Sequence, residues 1–367
     1  MIIRENIPLS ELTTMRLGGP ARFVIDIESR DDIIPAFDFA HRRHLPYYIL
    51  GGGANTIARD TGFGGVIVRN CMRGITESSK AGNTVDSLSG RVTSAEGDPR
   101  ELQRVGEDST RQDPPYILNA LGGTDWDTVV AYACEQNLTG IEALAKIPGL
   151  AGAAPVQNIG AYGQDISDTF KSAEVYDIAT GDFKTLDASD FHFSYRHSIL
   201  NTTDRGRYFV ISITLALARG TMPRPFYNSI EHYLESHPTD DFSPASIRTI
   251  VSAIRKDKLP DPADKASAGS FFKNIYLSKS DAAAAEAKGY PVYHGHDGLK
   301  INSAWLIEQC GLKGKLLHGM RVSSTAPLVL INESATSYAD LAAARAEIIA
   351  AVQDKFGYQL EQEPNEL

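Results

Sequence analysis

The sequence has little cysteine: its 367 residues include only three, Cys71, Cys134 and Cys310. They lie far apart and show none of the close spacings typical of zinc sites or disulfide frameworks. We therefore expect buried, reduced thiols in a cytoplasmic protein, and we expect no metal site.

Long apolar runs and a surplus of basic residues are also missing. The longest apolar stretch, residues 208–218, is too short to cross a bilayer, and the first residues lack the apolar core of a signal peptide. The formal net charge is −10, which disfavours nonspecific binding to nucleic acid. We expect no membrane association, no nucleic-acid partner and no obligate protein partner.

The composition is that of a globular protein, with 42% hydrophobic and 22% charged residues. At roughly 150 residues per domain, the length predicts two or three domains. Residues 78–111 are polar and lack periodicity, which is typical of a hairpin or surface insertion. Elsewhere, periodicity and turn signals predict an α+β chain. The predicted strands are 23–25, 46–50, 66–68, 173–178, 208–217 and 328–331, and the predicted helices begin near residues 31, 125, 243, 305 and 337.

A triple glycine, residues 51–53, follows the predicted strand 46–50. Backbone N–H groups of such a loop can approach a pyrophosphate closely, although a tight turn also needs glycine. Thr56 stands where a G-x-G-x-x-G pattern would carry its last glycine. The loop therefore argues against a standard Rossmann nicotinamide site.

A second glycine-rich run covers residues 147–163 and contains mostly small side chains. Such a run cannot pack as an amphipathic helix. It suits backbone that must lie flat against a large ligand, because glycine has no Cβ to collide with it. A buried glycine-rich loop without a ligand is the alternative interpretation.

Three further residues are candidates for chemistry, each with an ordinary alternative. Arg196 can bind a carboxylate bidentately or form a surface salt bridge. Lys258 can contact a phosphate or only interact with the dipole of the helix that it ends. Ser270 can donate a proton in a dry site or serve as a turn residue, and its surroundings do not match the G-x-S-x-G motif of hydrolases. Glu363, near the carboxyl terminus, is by itself typical of a solvated tail.

Taken together, these motifs occur in an order that spans nearly the whole chain. The segments that carry a resemblance are residues 13–19, 50–55, 147–163, 195–198, 258–262, 269–274, 304–308 and 360–363. In them the chain resembles the UDP-N-acetylenolpyruvoylglucosamine reductase family, and the long proline- and glycine-rich run is the most specific match.

The resemblance implies an α+β fold with three parts. Residues 1–70 and 71–220 would be the two subdomains of an FAD-binding fold of the vanillyl-alcohol oxidase (PCMH-type) class. Residues 221–367 would be an α+β substrate-binding domain whose carboxyl-terminal segment returns to the active site. The implied reaction is the NADPH-dependent, FAD-mediated reduction of UDP-N-acetylglucosamine enolpyruvate to UDP-N-acetylmuramate, a step of peptidoglycan synthesis.

The resemblance also implies roles for individual residues. Ser270 would give a proton to C2 of the substrate, and Arg196 would stabilise the negative charge that hydride addition at C3 creates, together with Glu363. The implied substrate contacts are Tyr227, Lys258 and Asn274. The implied FAD contacts are Gly51, Gly52, Gly53, Ala54, Asn55, Pro148, Gly149, Gly152, Gln157, Asn158, Gly160, Ala161 and Tyr162.

Two other functions remain open from the residues. One is another FAD-dependent oxidase or dehydrogenase of the same cofactor fold, which would act on an alcohol or lactone and would not need Ser270. The other is a nonenzymatic UDP-sugar binder that has lost the flavin.

Overall fold

The computed structural model describes residues 1–78, 115–295 and 298–367. Apart from Ser78, the predicted hairpin or insertion at 78–111 lies outside the described residues. The helices are α1 (Ile33–Arg42), α2 (Trp126–Glu135), α3 (Asn228–Ser236), α4 (Pro244–Lys258), α5 (Lys279–Ala287), α6 (Ser303–Gln309) and α7 (Tyr338–Phe356). The strands are β1 (Ile2–Pro8), β2 (Pro20–Ile27), β3 (Tyr47–Leu50), β4 (Thr56–Ile57), β5 (Phe63–Asn70), β6 (Ile75–Ser78), β7 (Tyr116–Leu121), β8 (Leu138–Thr139), β9 (Gly160–Ala161), β10 (Gln164–Asp165), β11 (Phe170–Asp177), β12 (Asp182–Asp187), β13 (Tyr208–Arg219), β14 (Ser267–Ser270), β15 (Ile275–Leu277), β16 (Tyr293–Gly295), β17 (Gly298–Ile301), β18 (Leu316–Leu317), β19 (Met320–Val322), β20 (Val329–Asn332) and β21 (Asn365–Glu366).

The first sheet has the strand order β1-β2-β5-β3. Its β2–β5 and β3–β5 pairs are parallel, whereas β1 runs antiparallel to β2. Helix α1 packs against this sheet through Ile33, Ala36, Phe37 and Ala40, a spacing that places them on one face. The predicted strands and helix of this region are confirmed. Strand β1 was not predicted, because as an exposed edge strand it lacks alternating burial.

The second sheet is antiparallel, with the order β12-β11-β13-β7-β6, and β13 lies at its centre. Helix α2 begins after Asp125, whose side chain caps it by accepting a hydrogen bond of 3.0 Å from the Thr128 backbone N–H. Helices α3 and α4 add Ile230, Val251 and other apolar side chains to the same core. The core of this sheet therefore continues past residue 220.

The last part of the chain holds two small sheets, ordered β14-β20-β19-β18 and β15-β17-β16, with α5, α6 and α7. Helix α7 begins with a capping box, in which Ser337 and Asp340 satisfy each other's backbone N–H groups. Met15 and Leu17 of the amino-terminal region are buried in the same core. The first and last parts of the chain are thus packed together.

The carboxyl-terminal tail crosses from this core back to the first sheet. Its residue Gln362 pairs with Phe272, and the Glu363 backbone N–H donates to the Phe271 oxygen at 2.9 Å. Strand β21 then pairs in parallel with β4, directly after the triple glycine. This path places Glu363 between the glycine loop and β14.

The helices and strands confirm the predicted α+β content. In the part of the chain that the structure describes, no helix has the length and apolar character needed to cross a membrane. All three cysteines are free; Cys134 is buried, whereas Cys71 and Cys310 are half-buried, which corrects the expectation that all three are buried.

Candidate active site

A cavity of about 250 Å³ lies where the triple-glycine loop, the run 147–160 and the end of β14 meet. Arg196, Ser270 and Glu363, which the sequence placed in three separate motifs, all line it. The predicted FAD contacts that also line this cavity are Gly51, Gly52, Gly53, Ala54, Asn55, Pro148, Gly149, Gln157 and Gly160.

A second cavity of about 340 Å³ adjoins the first and is lined by Gly152 together with residues of β3 and β13. The two cavities share seven lining residues, so they form one two-lobed space between the first and second sheets. The shared residues are Tyr48, Ile49, Gly51, Leu150, Ala153, Val156 and Asn365.

The glycines let two loops approach each other closely at this space. A Cβ on Gly51 would lie 2.8 Å from the Ala153 Cβ, and one on Gly52 would lie 3.2 Å from the Gly149 Cα. Gly53 has a φ of +69°, and a Cβ there would lie 2.0 Å from the Leu12 oxygen. Side chains at these positions would therefore separate the loops or block the space.

The run 147–163 forms a short 3-10 helix, Ala151–Gln157, followed by the β9–β10 hairpin. The expectation that it is not an amphipathic α-helix is confirmed. Asn158 ends the 3-10 helix with a φ of 44°, and its side chain is bonded to the Ser167 N–H at 3.1 Å and the Ser194 oxygen at 3.4 Å. Those bonds hold the run against the turn that carries Arg196.

Arg196 lies in a tight turn in which Ser194 and His197 exchange backbone hydrogen bonds of 3.1 and 3.0 Å. Its φ of 58° is unusual for a residue with a side chain and marks a strained backbone, as is common at functional sites. The guanidinium donates from Nε to Glu363 Oε1 at 3.2 Å, from Nη1 to the Asn158 oxygen at 3.3 Å and from Nη2 to the Gly160 oxygen at 3.1 Å. Three acceptors therefore fix this cation in place.

Glu363 receives two side-chain donors, since Gln157 Nε2 also donates to its Oε1 at 3.4 Å. Asn55 in turn donates to Gln157, which links the glycine loop to the carboxyl-terminal tail. The Glu363 side chain is only 10% exposed. Burial raises the pKa of Glu363, and the charge of Arg196 only partly opposes that rise.

Ser270 ends β14, where a bulge separates its pairing with Val329 from the regular pairing at Ser267. The preceding Gly269 has a φ of +68°, which favours glycine and turns Ser270 toward the cavity. The half-buried Ser270 hydroxyl makes no hydrogen bond to another group within residues 1–78, 115–295 and 298–367. The hydroxyl is thus available to a ligand.

Comparisons with known proteins identify the family of the whole chain. A family model described as UDP-N-acetylenolpyruvoylglucosamine reductase, C-terminal domain, matches residues 261–367. The UDP-N-acetylenolpyruvoylglucosamine reductase of Burkholderia lata is 35% identical and aligns with 97% of this chain and 95% of its own. The chain belongs to this reductase family. The reductase of Vibrio parahaemolyticus is 32% identical, over 99% of this chain and 94% of its own.

A solved structure supports the fold of the whole reductase chain. The crystal structure of the UDP-N-acetylenolpyruvylglucosamine reductase of Thermus caldophilus matches with a TM-score of 0.62 and 21% identity. The match covers 100% of this chain and 99% of that one. The predicted fold class is thereby confirmed for the residues that the structure describes.

The predicted substrate residues lie outside the lining of both cavities. Tyr227 is 46% exposed and meets Tyr162 edge to face, with 6.0 Å between ring centroids. Lys258 donates to Ser229 Oγ at 3.2 Å on the surface. Their substrate roles stay predictions, as do all the catalytic roles and FAD contacts. Among the predicted FAD contacts, Asn158, Ala161 and Tyr162 line neither cavity.

Asn274 follows the buried pair Phe271 and Phe272 and is half-buried. Its Oδ1 accepts from the Ser303 N–H at 3.1 Å, and its Nδ2 lies 3.5 Å from the Tyr195 hydroxyl. Tyr195 precedes Arg196, so Asn274 is connected to the turn of the catalytic candidate. Its substrate role also stays a prediction.

Arg255 is a cavity residue that the sequence interpretation missed. This half-buried arginine of α4 lines the first cavity and lies near the Tyr162 side chain. Burial lowers the pKa of Arg255, and no carboxylate in the described chain forms an ion pair with it. The sequence signal that could have identified it is its position next to Ile254, at the edge of the buried face of the helix.

Proposed function

We propose that this chain reduces UDP-N-acetylglucosamine enolpyruvate to UDP-N-acetylmuramate with NADPH as the hydride donor and FAD as the bound cofactor. Membership of the reductase family supports the overall reaction. The observation that carries the proposal is the convergence of Ser270, Arg196 and Glu363 on one cavity. The reaction would serve peptidoglycan synthesis in the cytoplasm.

The two-lobed space fits FAD. Its lobes of about 250 and 340 Å³ suit an elongated dinucleotide, and glycines 51–53 remove the side chains that would fill the junction. The loop 51–55, Gly149, Gly152 and Gln157 would hold it. When bound, FAD would supply redox chemistry by accepting hydride from NADPH and releasing it to C3 of the enolpyruvyl group.

Arg196 would stabilise the negative charge that appears on C2 and the carboxylate of the substrate when C3 gains hydride. Its guanidinium is already oriented by Glu363 and two backbone oxygens, so little reorganisation is needed during the reaction. Such a fixed charge is worth about 10²–10³ in rate.

Ser270 would then donate its hydroxyl proton to C2, which completes the saturated lactyl group. Its hydroxyl faces the same cavity as Arg196 and is not bonded to another described protein group. A well-placed general acid contributes about 10²–10⁴ in rate. Solvent would return the proton to the serine in each turnover.

The nucleotide sugar would bind at the mouth of the cavity, near Tyr227, Lys258 and Asn274. Lys258 offers a positive charge for the diphosphate, and Tyr227 offers an exposed ring next to Tyr162. We assign FAD binding to residues 1–70 and 71–220 and substrate binding to residues 221–367. Helices α3 and α4 would join the two functions, because they pack on the core of the second sheet.

Rapid mixing of the purified protein tests this proposal. NADPH should bleach the flavin absorbance, and UDP-N-acetylglucosamine enolpyruvate should restore it with formation of UDP-N-acetylmuramate. Reoxidation by oxygen or a dye, but not by this substrate, would instead favour another FAD-dependent enzyme. A protein that stays colourless with added FAD would contradict both enzymatic functions.

A further inference from the structure

We propose that Asn365 is a cofactor-positioning residue whose carboxamide hydrogen-bonds the diphosphate of FAD at the junction of the two cavities. This inference rests on the proposed function and adds to it a contact that none of the motifs indicated.

The junction of the cavities offers few polar side chains. Of the seven residues that line both cavities, only Tyr48 and Asn365 have polar side chains. The Tyr48 hydroxyl lies near the Thr56 and Arg205 side chains. The half-buried Asn365 carboxamide makes no hydrogen bond to any group of the described residues. It is therefore an unpartnered amide at the junction, with N–H groups free to donate to a ligand.

The backbone of Asn365 is held firmly beside the glycine loop. Its N–H donates to the Asn55 oxygen at 2.9 Å, and it pairs with Thr56 in the β21–β4 ladder. The Leu367 N–H, two residues on, donates to the Ile57 oxygen at 2.9 Å. The position of the carboxamide is thus set by the same loop that would hold a pyrophosphate.

The alternation of side chains along the extended tail supports this orientation. Glu363 and Asn365, two residues apart, both line the first cavity. Glu366 instead forms ion pairs with Arg59 and Arg345. The tail therefore presents Asn365 to the cavity and Glu366 to the protein surface.

The chemistry of a dinucleotide explains why a carboxamide suits this junction. The diphosphate of FAD lies between its flavin half and its adenosine half, so in a two-lobed space it falls at the junction. An amide N–H donates to a phosphate oxygen in a charge-assisted hydrogen bond. A carboxylate of the same shape would offer only acceptors and a repelling charge.

The test is the affinity of the FAD-free protein for FAD, measured by quenching of FAD fluorescence. We expect Asn365→Ala to weaken binding about 10-fold, from the loss of one hydrogen bond to a charged group. The isosteric Asn365→Asp should weaken it about 100-fold, since repulsion adds to that loss. Glu366→Gln is the matched control: it removes tail ion pairs without changing the junction, and should bind FAD like the unmodified protein.

Equal affinity in the unmodified protein and Asn365→Asp would overturn the proposed contact. Equal weakening of FAD binding in Asn365→Ala, Asn365→Asp and Glu366→Gln would also overturn it, because a loosened carboxyl-terminal tail would then explain all three losses of affinity. If Asn365→Asp fails to fold, the FAD affinity of Asn365→Ala is compared with that of the unmodified protein instead. An unmodified protein that binds no FAD would refute the proposed function itself, an outcome distinct from the first two.

Discussion

Arg196 and Glu363 are 167 positions apart in the sequence, yet Arg196 Nε lies 3.2 Å from Glu363 Oε1. The contact exists because the tail leaves α7, pairs with Phe272 and runs toward the glycine loop. It orients a buried cation whose other donors point to the Asn158 and Gly160 oxygens. The end of the chain thus completes a site that its middle begins.

Replacing Ser270 by alanine should affect only the second half of the reaction. We expect NADPH to bleach the flavin at nearly the normal rate, while reoxidation by the enolpyruvyl substrate slows by at least about 10²-fold. Stopped-flow absorbance separates the two steps. Ser267→Ala is the control, because that buried hydroxyl has no hydrogen-bond partner among the described residues and Ser267 does not line the cavity. Equal slowing of both steps in Ser270→Ala would remove the proton-donor role.

Arg196→Ala should slow the same half-reaction by about 10²–10³-fold, because the charge that develops on the substrate loses its fixed cation. Arg196→Lys keeps a charge but cannot bond Glu363 and both backbone oxygens at once. Its rate of flavin reoxidation should therefore fall between those of the unmodified protein and Arg196→Ala. FAD content and flavin bleaching by NADPH serve as controls for folding. Normal turnover of Arg196→Ala would show that the arginine is structural.

Lys258→Ala should mainly weaken binding of the nucleotide sugar. We expect KM to rise about 10-fold with a small change in kcat, because a phosphate contact made equally in ground and transition states affects binding alone. Steady-state kinetics measure this separation. Lys256→Ala, an exposed lysine of the same helix end, is the matched control. A drop in kcat at constant KM would argue against a phosphate contact.

Asp177 gives a prediction about pH and stability. The Arg207 guanidinium, with Lys184 at 2.7 Å, holds the pKa of this fully buried carboxylate well below its usual range. Because the pKa is lower in the folded state, the ionised carboxylate stabilises the folded protein at pH values above about 3.9, the pKa in the unfolded state. This stabilisation is lost as the pH falls below that value. Asp177→Asn should therefore lower the free energy of unfolding at pH 7 by about 1–3 kcal/mol.

The difference in the free energy of unfolding between the unmodified protein and Asp177→Asn should shrink as the pH falls below about 4, because the Asp177 carboxylate then stabilises the folded state less. Urea unfolding at several pH values measures it. Asp182→Asn, an exposed carboxylate on the facing strand, should change stability little at any pH. A deficit in Asp177→Asn that is constant with pH would argue for a packing effect instead.

Local patterns predicted five of the seven helices and six of the 21 strands in the described part of the chain. The capping box of α7 and the apolar spacing of α1 arise from neighbouring residues, so they can be read without the fold. Helix α3 was missed because it lies within a proline-rich stretch and buries only Ile230 fully. Strand β1 was missed because an edge strand needs no alternating pattern.

The sequence by itself determined the short-range features: the glycine loops and the family motifs in their order. It did not show by itself which of them meet: Glu363 alone is typical of a solvated tail, and only the family resemblance implied that the carboxyl-terminal segment returns to the active site. Only the tertiary structure placed that tail beside β4, buried Glu363 against Arg196 and turned Arg255 and Asn365 into the shared space. Such contacts depend on packing between segments more than a hundred residues apart, which short-range periodicity cannot encode.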